Sequence, residues 1–583
     1  MKERLLDFKD LKRNLKRDNS MLPVVKVALV GDTATQLLAT ALQGMAVECG
    51  YTLELMEAEY NQVERQFLDP QSELRQADAE YVILFRSSHK LAQRHATLTP
   101  EQRLQLASDE VQFVADVCSD PYFASRRIIV MNYAEVDDGI YGSYASKEPS
   151  SLLYQLRKLN YELMQLACNT PNLFIADLAA VQSRLGSERV FPASVYISTE
   201  MVLSIDALPA VAARVIDIIM ATRGLFKKCL ILDLDNTLWG GIVGDDGVEG
   251  LQLGHGLGIG KAFTEFQLWI KKLKQRGIIL CVASKNDEDK ARAPFRSHPD
   301  MVLHEDDIAV FMANWETKVD NIRAIQEVLN IGFDSMVFVD DNPFERAMVR
   351  EAIPTITVPE MPDDPALYVD CLSSLNLFET ASHSQGDEQR TRQYQVEAQR
   401  VSLKRTFDSE EAFLKSLEMT SHVEGITLFN TPRVAQLSQR SNQFNLRTVR
   451  YIDADIEAMA TDPAVTALTF TLADRLGDNG LVSVVIMRRQ GDDTMFIDTW
   501  IMSCRVLKRG MEHFVLNCLV KAAQQAGCHR IVGEYLPTAK NGMVKDHYPN
   551  LGFAPLNTTG DTPAQYVLEL DSYTPHEVSI TRK

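Results

Sequence analysis

Two aspartates, Asp233 and Asp235, stand one residue apart at the end of the apolar run Leu230-Ile231-Leu232. Substrates of open α/β sheets bind at the carboxyl ends of strands, and carboxylates spaced this way reach the same side of the following loop. One can attack phosphorus while the other handles the leaving-group proton. A transferring phosphoryl group is anionic, so the chemistry calls for magnesium and a lysine. Suitable residues recur in order, each beside a predicted strand or helix end. Ser284 follows a strand at 278–283, Lys318 opens a helix, and Asp340 and Asp341 follow a strand at 336–339. A lone Asp-x-Asp usually caps or solvates a strand end; four such elements in order point to phosphoryl transfer.

The elements that must position these residues alternate between strand and helix, the pattern of parallel α/β sheets. Strands are expected at 24–30, 81–85 and 127–131, and helices at 35–46, 103–117 and 150–168. A second doubly wound run starts with the strand before Asp233 and continues with helix 262–276, strand 278–283, helix 318–329 and strand 336–339. Residues 379–410 are polar and charged and read as a connecting helix or linker. Strands at 482–488 and 495–502 and a helix at 509–525 follow. The expected architecture is a three-domain α/β chain, with domains at 1–222, 223–378 and 411–583. The stretch between Thr237 and Ser284 already holds a helix and a strand, so no large cap domain fits there. Such an open site suits a macromolecular or carrier-bound substrate.

The 583 residues exceed a single hydrophobic core. A net charge of −19 argues against wholesale nucleic-acid binding. No run reaches the ~18 apolar residues that span a bilayer. The nine cysteines form no CxxC pair and no Cys/His cluster, which argues against zinc and a disulfide framework and for a reducing, cytoplasmic setting. The opening MKERLLDFKD has no apolar core after its basic residues and so is no secretory signal; it suits a short amphipathic helix. His255 to Lys261, HGLGIGK, lacks the first glycine and the Ser/Thr of a phosphate loop and reads as a flap. Composition leaves the oligomeric state open.

Near the C-terminus, a strand leads into Ser503-Cys504-Arg505-Val506-Leu507-Lys508-Arg509-Gly510 and then a helix. Such a turn is an anion cradle, with Arg505, Lys508, Arg509 and Gly510 as candidates for holding a phosphate. Cys504, near a helix N-terminus and basic residues, is a candidate acyl-thioester nucleophile. Asn442, Asn445 and Asp478 are either acyl-site residues or turn caps, and Tyr548 is either a general acid or core.

The set around Asp233 resembles the haloacid-dehalogenase superfamily. The resemblance implies Asp233 as a nucleophile forming an aspartyl phosphate, Asp235 as acid/base and Thr237 as loop organiser. Ser284 and Lys318 would hold the phosphoryl group. Mg2+ would be bound by Asp233, the Asp235 carbonyl, and Asp340 or Asp341, with Asp341 preferred. The C-terminal turn, with Asn541 and Tyr548-Pro549-Asn550-Leu551-Gly552-Phe553, resembles the Gcn5-related acyltransferase (GNAT) fold. Lys508 stands where that fold's pyrophosphate turn has glycine, which favours a phosphopantetheine arm over free coenzyme A. Gly31-Asp32-Thr33 and Asn132 resemble an SGNH hydrolase in which Thr replaces the serine and the histidine base is missing, a non-catalytic domain.

The motifs DLDNTLWGG (233–241), ASKN (283–286), NWETK (314–318), FVDDNPFER (338–346), SNQFNLRT (441–448), DRLGDNGLVS (474–483), MSCRVLKRG (502–510) and GEYLPTAKN (533–541) together resemble the FkbH-like family. That resemblance implies a glyceryl-carrier-protein synthase of polyketide assembly. It would take 1,3-bisphosphoglycerate, remove phosphate and load the glyceryl group on the phosphopantetheine thiol of an acyl carrier protein. Ala283 stands where members often carry cysteine, with Cys281 two residues earlier. The alternatives are a stand-alone magnesium-dependent phosphatase on a small metabolite, or a coenzyme A-dependent N-acyltransferase with a vestigial phosphatase site.

Overall fold

The computed structural model describes residues 6–382, 390–404, 406–538, 540–556 and 564–583. Part of the connecting segment, 383–389 and 405, and Ala539 of the GEYLPTAKN motif lie outside the described residues. The chain divides into two compact units, Met1–Met220 and Ala221–Lys583.

In the first unit, five parallel strands are β1 (Val24–Gly31), β2 (Thr52–Glu57), β3 (Tyr81–Phe85), β4 (Arg127–Met131) and β5 (Leu173–Ala176). Their order is β2-β1-β3-β4-β5. The central β3 is buried at every position, as a strand covered on both faces must be. Helices Gln36–Glu48 and Leu208–Thr222 cover one face, and Leu106–Ser119 and Leu152–Asn169 the other. A short helix, Phe8–Asn14, buries Leu11 against Gly44.

The second unit holds two sheets. The first contains β6 (Cys229–Leu232), β7 (Ile279–Ser284), β8 (Ile308–Ala313) and β9 (Met336–Val339), all parallel, in the order β8-β7-β6-β9. Placing β6 between β7 and β9 brings three strand ends side by side, those bearing Asp233, Ser284 and Asp340. No cap interrupts β6 and β7. Between them lie a bridge from Gly240 to Gln252, a four-residue helix at Val243–Asp246 and helix Ile259–Gln275.

The second sheet is nine-stranded, with β10 (Met419–Ser421), β11 (Val423–Glu424), β12 (Val465–Asp474), β13 (Gly477–Gln490), β14 (Thr494–Met502), β15 (Arg530–Tyr535), β16 (Ala554–Pro555), β17 (Ala564–Glu569) and β18 (Ile580–Arg582). β12, β13 and β14 are antiparallel, and β14 joins β15 in parallel only over Thr494–Ile497. Beyond that point the two strands separate, and the segment Phe444–Leu446 fills the gap. The amides of Leu446 and Met502 donate to Trp500 and Phe444, and the Leu536 amide donates to Leu446.

Helix Arg390–Lys404 lies in the segment read as a connecting helix, and it packs against both sheets of the second unit. Gln395 donates to the Ile308 carbonyl of β8 at 2.9 Å, and Arg400 grips Asp474 at the end of β12 through two bonds of 2.8 and 2.9 Å. Among the described residues, no helix is long and apolar enough to cross a membrane.

Candidate functional site

The Asp233 site is made by strand polarity. Parallel strands present their carboxyl ends together, so the residues after β6, β7 and β9 meet at one edge. Asp233, Asp340 and Asp341 each offer a carboxylate oxygen, all within 4.8 Å of one another. Lys318, the first residue of helix Lys318–Leu329 and buried, enters from the β8 side. Its ammonium donates to Asp233 and to the Ala283 carbonyl (2.8 Å), and lies 3.3 Å from Asp340 Oδ2. Burial alone would lower its pKa, but Asp233 and Asp340 hold it above the ordinary lysine value.

One lysine facing three carboxylates leaves this cluster short of positive charge. Asp340 is fully buried, and its Oδ2 has no hydrogen-bond partner despite the nearby lysine. Burial, then the Asp233 charge, push the Asp340 carboxyl upward, and the same two causes raise Asp341. Three oxygen donors around a buried orphan oxygen fit a hard divalent cation. Both Asp340 and Asp341 join Asp233 in the cluster, so the geometry does not single out Asp341.

Asp235 sits apart from that cluster. Its carboxylate accepts from Trp239 Nε1 at 2.9 Å, the Val243 amide at 3.0 Å and Asn286 Nδ2 at 3.2 Å. Burial raises its pKa against these donors, the direction that helps a carboxyl hold and pass on a proton. Thr237 Oγ1 donates to Asp341 Oδ1, and Ser284 is buried as the last residue of β7. Two supporting residues escaped the sequence reading. Asn286 orients Asp235, and Arg346 Nη1 donates to the carbonyls of Asp340 (2.9 Å) and Asp341 (2.6 Å). Both lie inside the quoted motifs ASKN and FVDDNPFER, the one signal that could have found them.

Cys504 is not at this site. Lys228, just before β6, lines the same cavity as Cys504, whereas Asp233 follows β6. Five residues of extended chain span roughly 16 Å. A second measure agrees: Lys318 begins its helix at the carboxylates, while Asn330 beyond the helix end donates to the Cys504 carbonyl at 2.9 Å. One small acyl phosphate therefore does not meet both Asp233 and Cys504. Cys281 is equally removed from that role, fully buried with its sulfur 3.8 Å from that of Cys229.

The anion cradle expected at Arg505–Gly510 is divided. Arg505 is buried on the cavity shared with Cys504. Arg509 turns inward, donating to Glu397 and lying 3.6 Å from Asp474, so its charge is spent on carboxylates. Lys508 is exposed at φ 63°, and Gly510 begins helix Met511–Gln525 at φ 75°. Tyr548 packs in the core against Gly533, Trp500 and Phe553. Asn445 caps Thr448, Asp478 caps Gly480, and Asn442 lines the cavity while donating to the Gly224 carbonyl.

In the first unit, Asp32 accepts the Ser87 amide, and burial raises its carboxyl to about 7. Thr33 is buried, and Asn132 donates to Asp177 at 2.8 Å. The described residues lining the cavity of about 140 Å3 beside Asp32 include no histidine.

Residues 26–220 match the family described as FkbH, N-terminal domain. A solved structure, the N-terminal part of the protein BF1531 from Bacteroides fragilis containing a phosphatase domain complexed with Mg, is 58% identical with a TM-score of 0.63. The match covers 65% of this chain and 100% of that one. The ribosomal-protein-S18-alanine N-acetyltransferase from Escherichia coli (14% identity, 25% of this chain and 91% of that one) and the GNAT domain of S. lividans PAT (16%, 25% and 89%) each align with a TM-score of 0.20, too low to carry weight. No curated protein sequence matches the chain. Sheet order and carboxylate cluster define an α/β protein with a haloacid-dehalogenase-like domain. The chain belongs to the FkbH-like family.

Proposed function

We propose that this chain is a magnesium-dependent phosphatase-type enzyme that removes phosphate from a glycolytic acyl phosphate, 1,3-bisphosphoglycerate, and delivers the glyceryl group to the phosphopantetheine thiol of an acyl carrier protein. The observation that carries the phosphoryl part is the meeting of Asp233, Asp340, Asp341 and Lys318 at one sheet edge. The magnesium complex of BF1531 supports the choice of metal. The acyl group and the carrier rest on the family resemblance.

The separation of Asp233 from Cys504 suits the two phosphates of this substrate. A thiol attacking the mixed-anhydride carbonyl expels one phosphate unaided by Asp233. The ester phosphate has no such activation and needs the carboxylate site. There Asp233 Oδ bonds to phosphorus, the P–O bond to the sugar-acid oxygen breaks, and Asp235 protonates that oxygen. Water, deprotonated by Asp235, then cleaves the aspartyl phosphate. Lys318 holds the phosphoryl oxygens, and bound magnesium would neutralise their charge. Asp233, Asp340 and Asp341 would hold that metal.

The test is the intact mass of a phosphopantetheinylated carrier after incubation with the protein, magnesium and a 1,3-bisphosphoglycerate-generating system. The reading expects a glyceryl increment that disappears with Asp233→Asn; a glyceryl-loaded carrier with that variant overturns it. The distance to Cys504 also favours a second reading, a phosphatase acting on a small metabolite without any carrier. Phosphate release with an unmodified carrier selects that one. Coenzyme A-dependent acylation is disfavoured, because Phe444–Leu446 occupies the gap between β14 and β15.

A further inference from the structure

A cavity of about 510 Å3 lies at the amino-terminal end of β6, away from Asp233. Its described lining includes six basic residues and one acidic residue, Asp334. That single carboxylate is already engaged by Lys540. Lys228 donates to the Arg440 carbonyl at 2.9 Å, which leaves its charge uncompensated by that bond. Burial lowers the Lys228 ammonium to about 8, with Cys504 and Asp334 opposing the effect and Arg390 and Lys540 adding to it.

Arg505 marks the ligand's chemistry. It is only 8% exposed, its Nε donates to Ser503 Oγ at 3.2 Å, and its Nη1 is buried with no hydrogen-bond partner. Buried guanidinium nitrogens without an acceptor are rare, and a planar donor fork suits phosphate oxygens. Cys504 stands on the same wall, its thiol hydrogen-bonded with Tyr394.

We propose that this cavity is a second, phosphate-binding site, in which Arg505 and Lys228 hold the phosphate of a small molecule or of a phosphate-bearing arm, with Cys504 facing the remainder of the ligand. The site is independent of the Asp233 chemistry and stands or falls apart from it. Free phosphate and the phosphodiester or monoester of a longer arm share the recognised group, and the probes below separate them.

The Cys504 thiol supplies a local readout. The full chain is alkylated with iodoacetamide in EDTA, and each cysteine is followed by peptide mass, with exposed Cys168 as the reference. Inorganic phosphate, S-methyl 4′-phosphopantetheine and unphosphorylated S-methyl pantetheine are compared at matched ionic strength. The proposal expects a phosphate-bearing probe to slow Cys504 about tenfold at nine-tenths occupancy, with Cys168 and the unphosphorylated probe unaffected. Protection by the phosphorylated arm alone identifies an arm; equal protection by inorganic phosphate identifies the free anion. Arg505→Gln should lose the protection and Arg505→Lys should keep part of it, which controls for a glutamine variant that misfolds. Protection by no phosphate compound, by sodium chloride equally, or undiminished in a folded Arg505→Gln overturns the proposal.

Discussion

Thr237 and Asp341 hold each other through two hydrogen bonds. The hydroxyl donates to Oδ1 at 3.3 Å, and the Asp341 amide donates back to that hydroxyl at 3.1 Å. The loop after β6 is thereby locked to the loop after β9, one strand away. Replacing Thr237 with Val keeps the shape and removes both bonds. Outer groups that orient a metal-binding carboxylate are worth about 10–100-fold in metal affinity or activity. Thr237→Val should lose roughly that factor, read as a raised magnesium requirement for hydrolysis of a phosphate monoester.

Lys318 is the one cation that the described structure places among the three carboxylates. Lys318→Met leaves Asp233 and Asp340 to repel each other in a buried site. Loss of one partner from a buried pair costs about 3–5 kcal/mol. Urea unfolding in EDTA should show a loss of that order, and saturating magnesium should recover part of it. An unchanged midpoint in EDTA would contradict the charge balance described.

His547 is buried against Phe444 and Trp500, and burial lowers its pKa to about 3. The folded chain keeps this ring neutral while the unfolded chain protonates it near 6.5. Between those values the unfolded state binds more protons, so stability rises with pH. The contribution is complete above about 6.5 and is lost as pH falls towards about 3. His547→Phe should flatten the acid limb of a melting-temperature profile; an identical limb would assign acid sensitivity elsewhere.

Asp474 receives two bonds from Arg400 and two more from the amides of Leu476 and Gly477, with its side chain fully buried. It ties helix Arg390–Lys404 to the second sheet. Asp474→Ala leaves Arg400 with Glu397 alone, and Arg509 loses a neighbouring charge, so up to about 3–5 kcal/mol of stability should go. Denaturant unfolding measures this directly.

Phe444–Leu446 already uses the backbone groups of the diverging β14 and β15. Calorimetric titration with acetyl-coenzyme A should therefore release no binding heat at that gap. Saturable binding that Phe444→Ala strengthens would show that the segment is displaceable.

The sequence by itself determined which residues share the Asp233 edge. In a parallel sheet all carboxyl ends face one way, which brings the strand-end residues Asp233, Ser284 and Asp340 to one edge, whereas Lys318 opens a helix and joins them through its contacts. The strands missed in the two parallel sheets, β2, β5 and β8, are all edge strands. Only β2, Thr-Leu-Glu-Leu-Met-Glu, lacks a continuous apolar run; β5 and β8 are apolar throughout, and runs that short do not by themselves separate strand from helix. Tertiary structure alone decided the rest. Cys504 reads as a thiol beside a helix N-terminus and basic residues, and its contact with Asn330 seats it at the far end of a helix that begins at the carboxylates. Arg509 reads as an anion binder until Glu397, more than a hundred positions away, claims it. Side-chain partners of this kind depend on which elements pack together across the chain, and local periodicity carries no record of that choice.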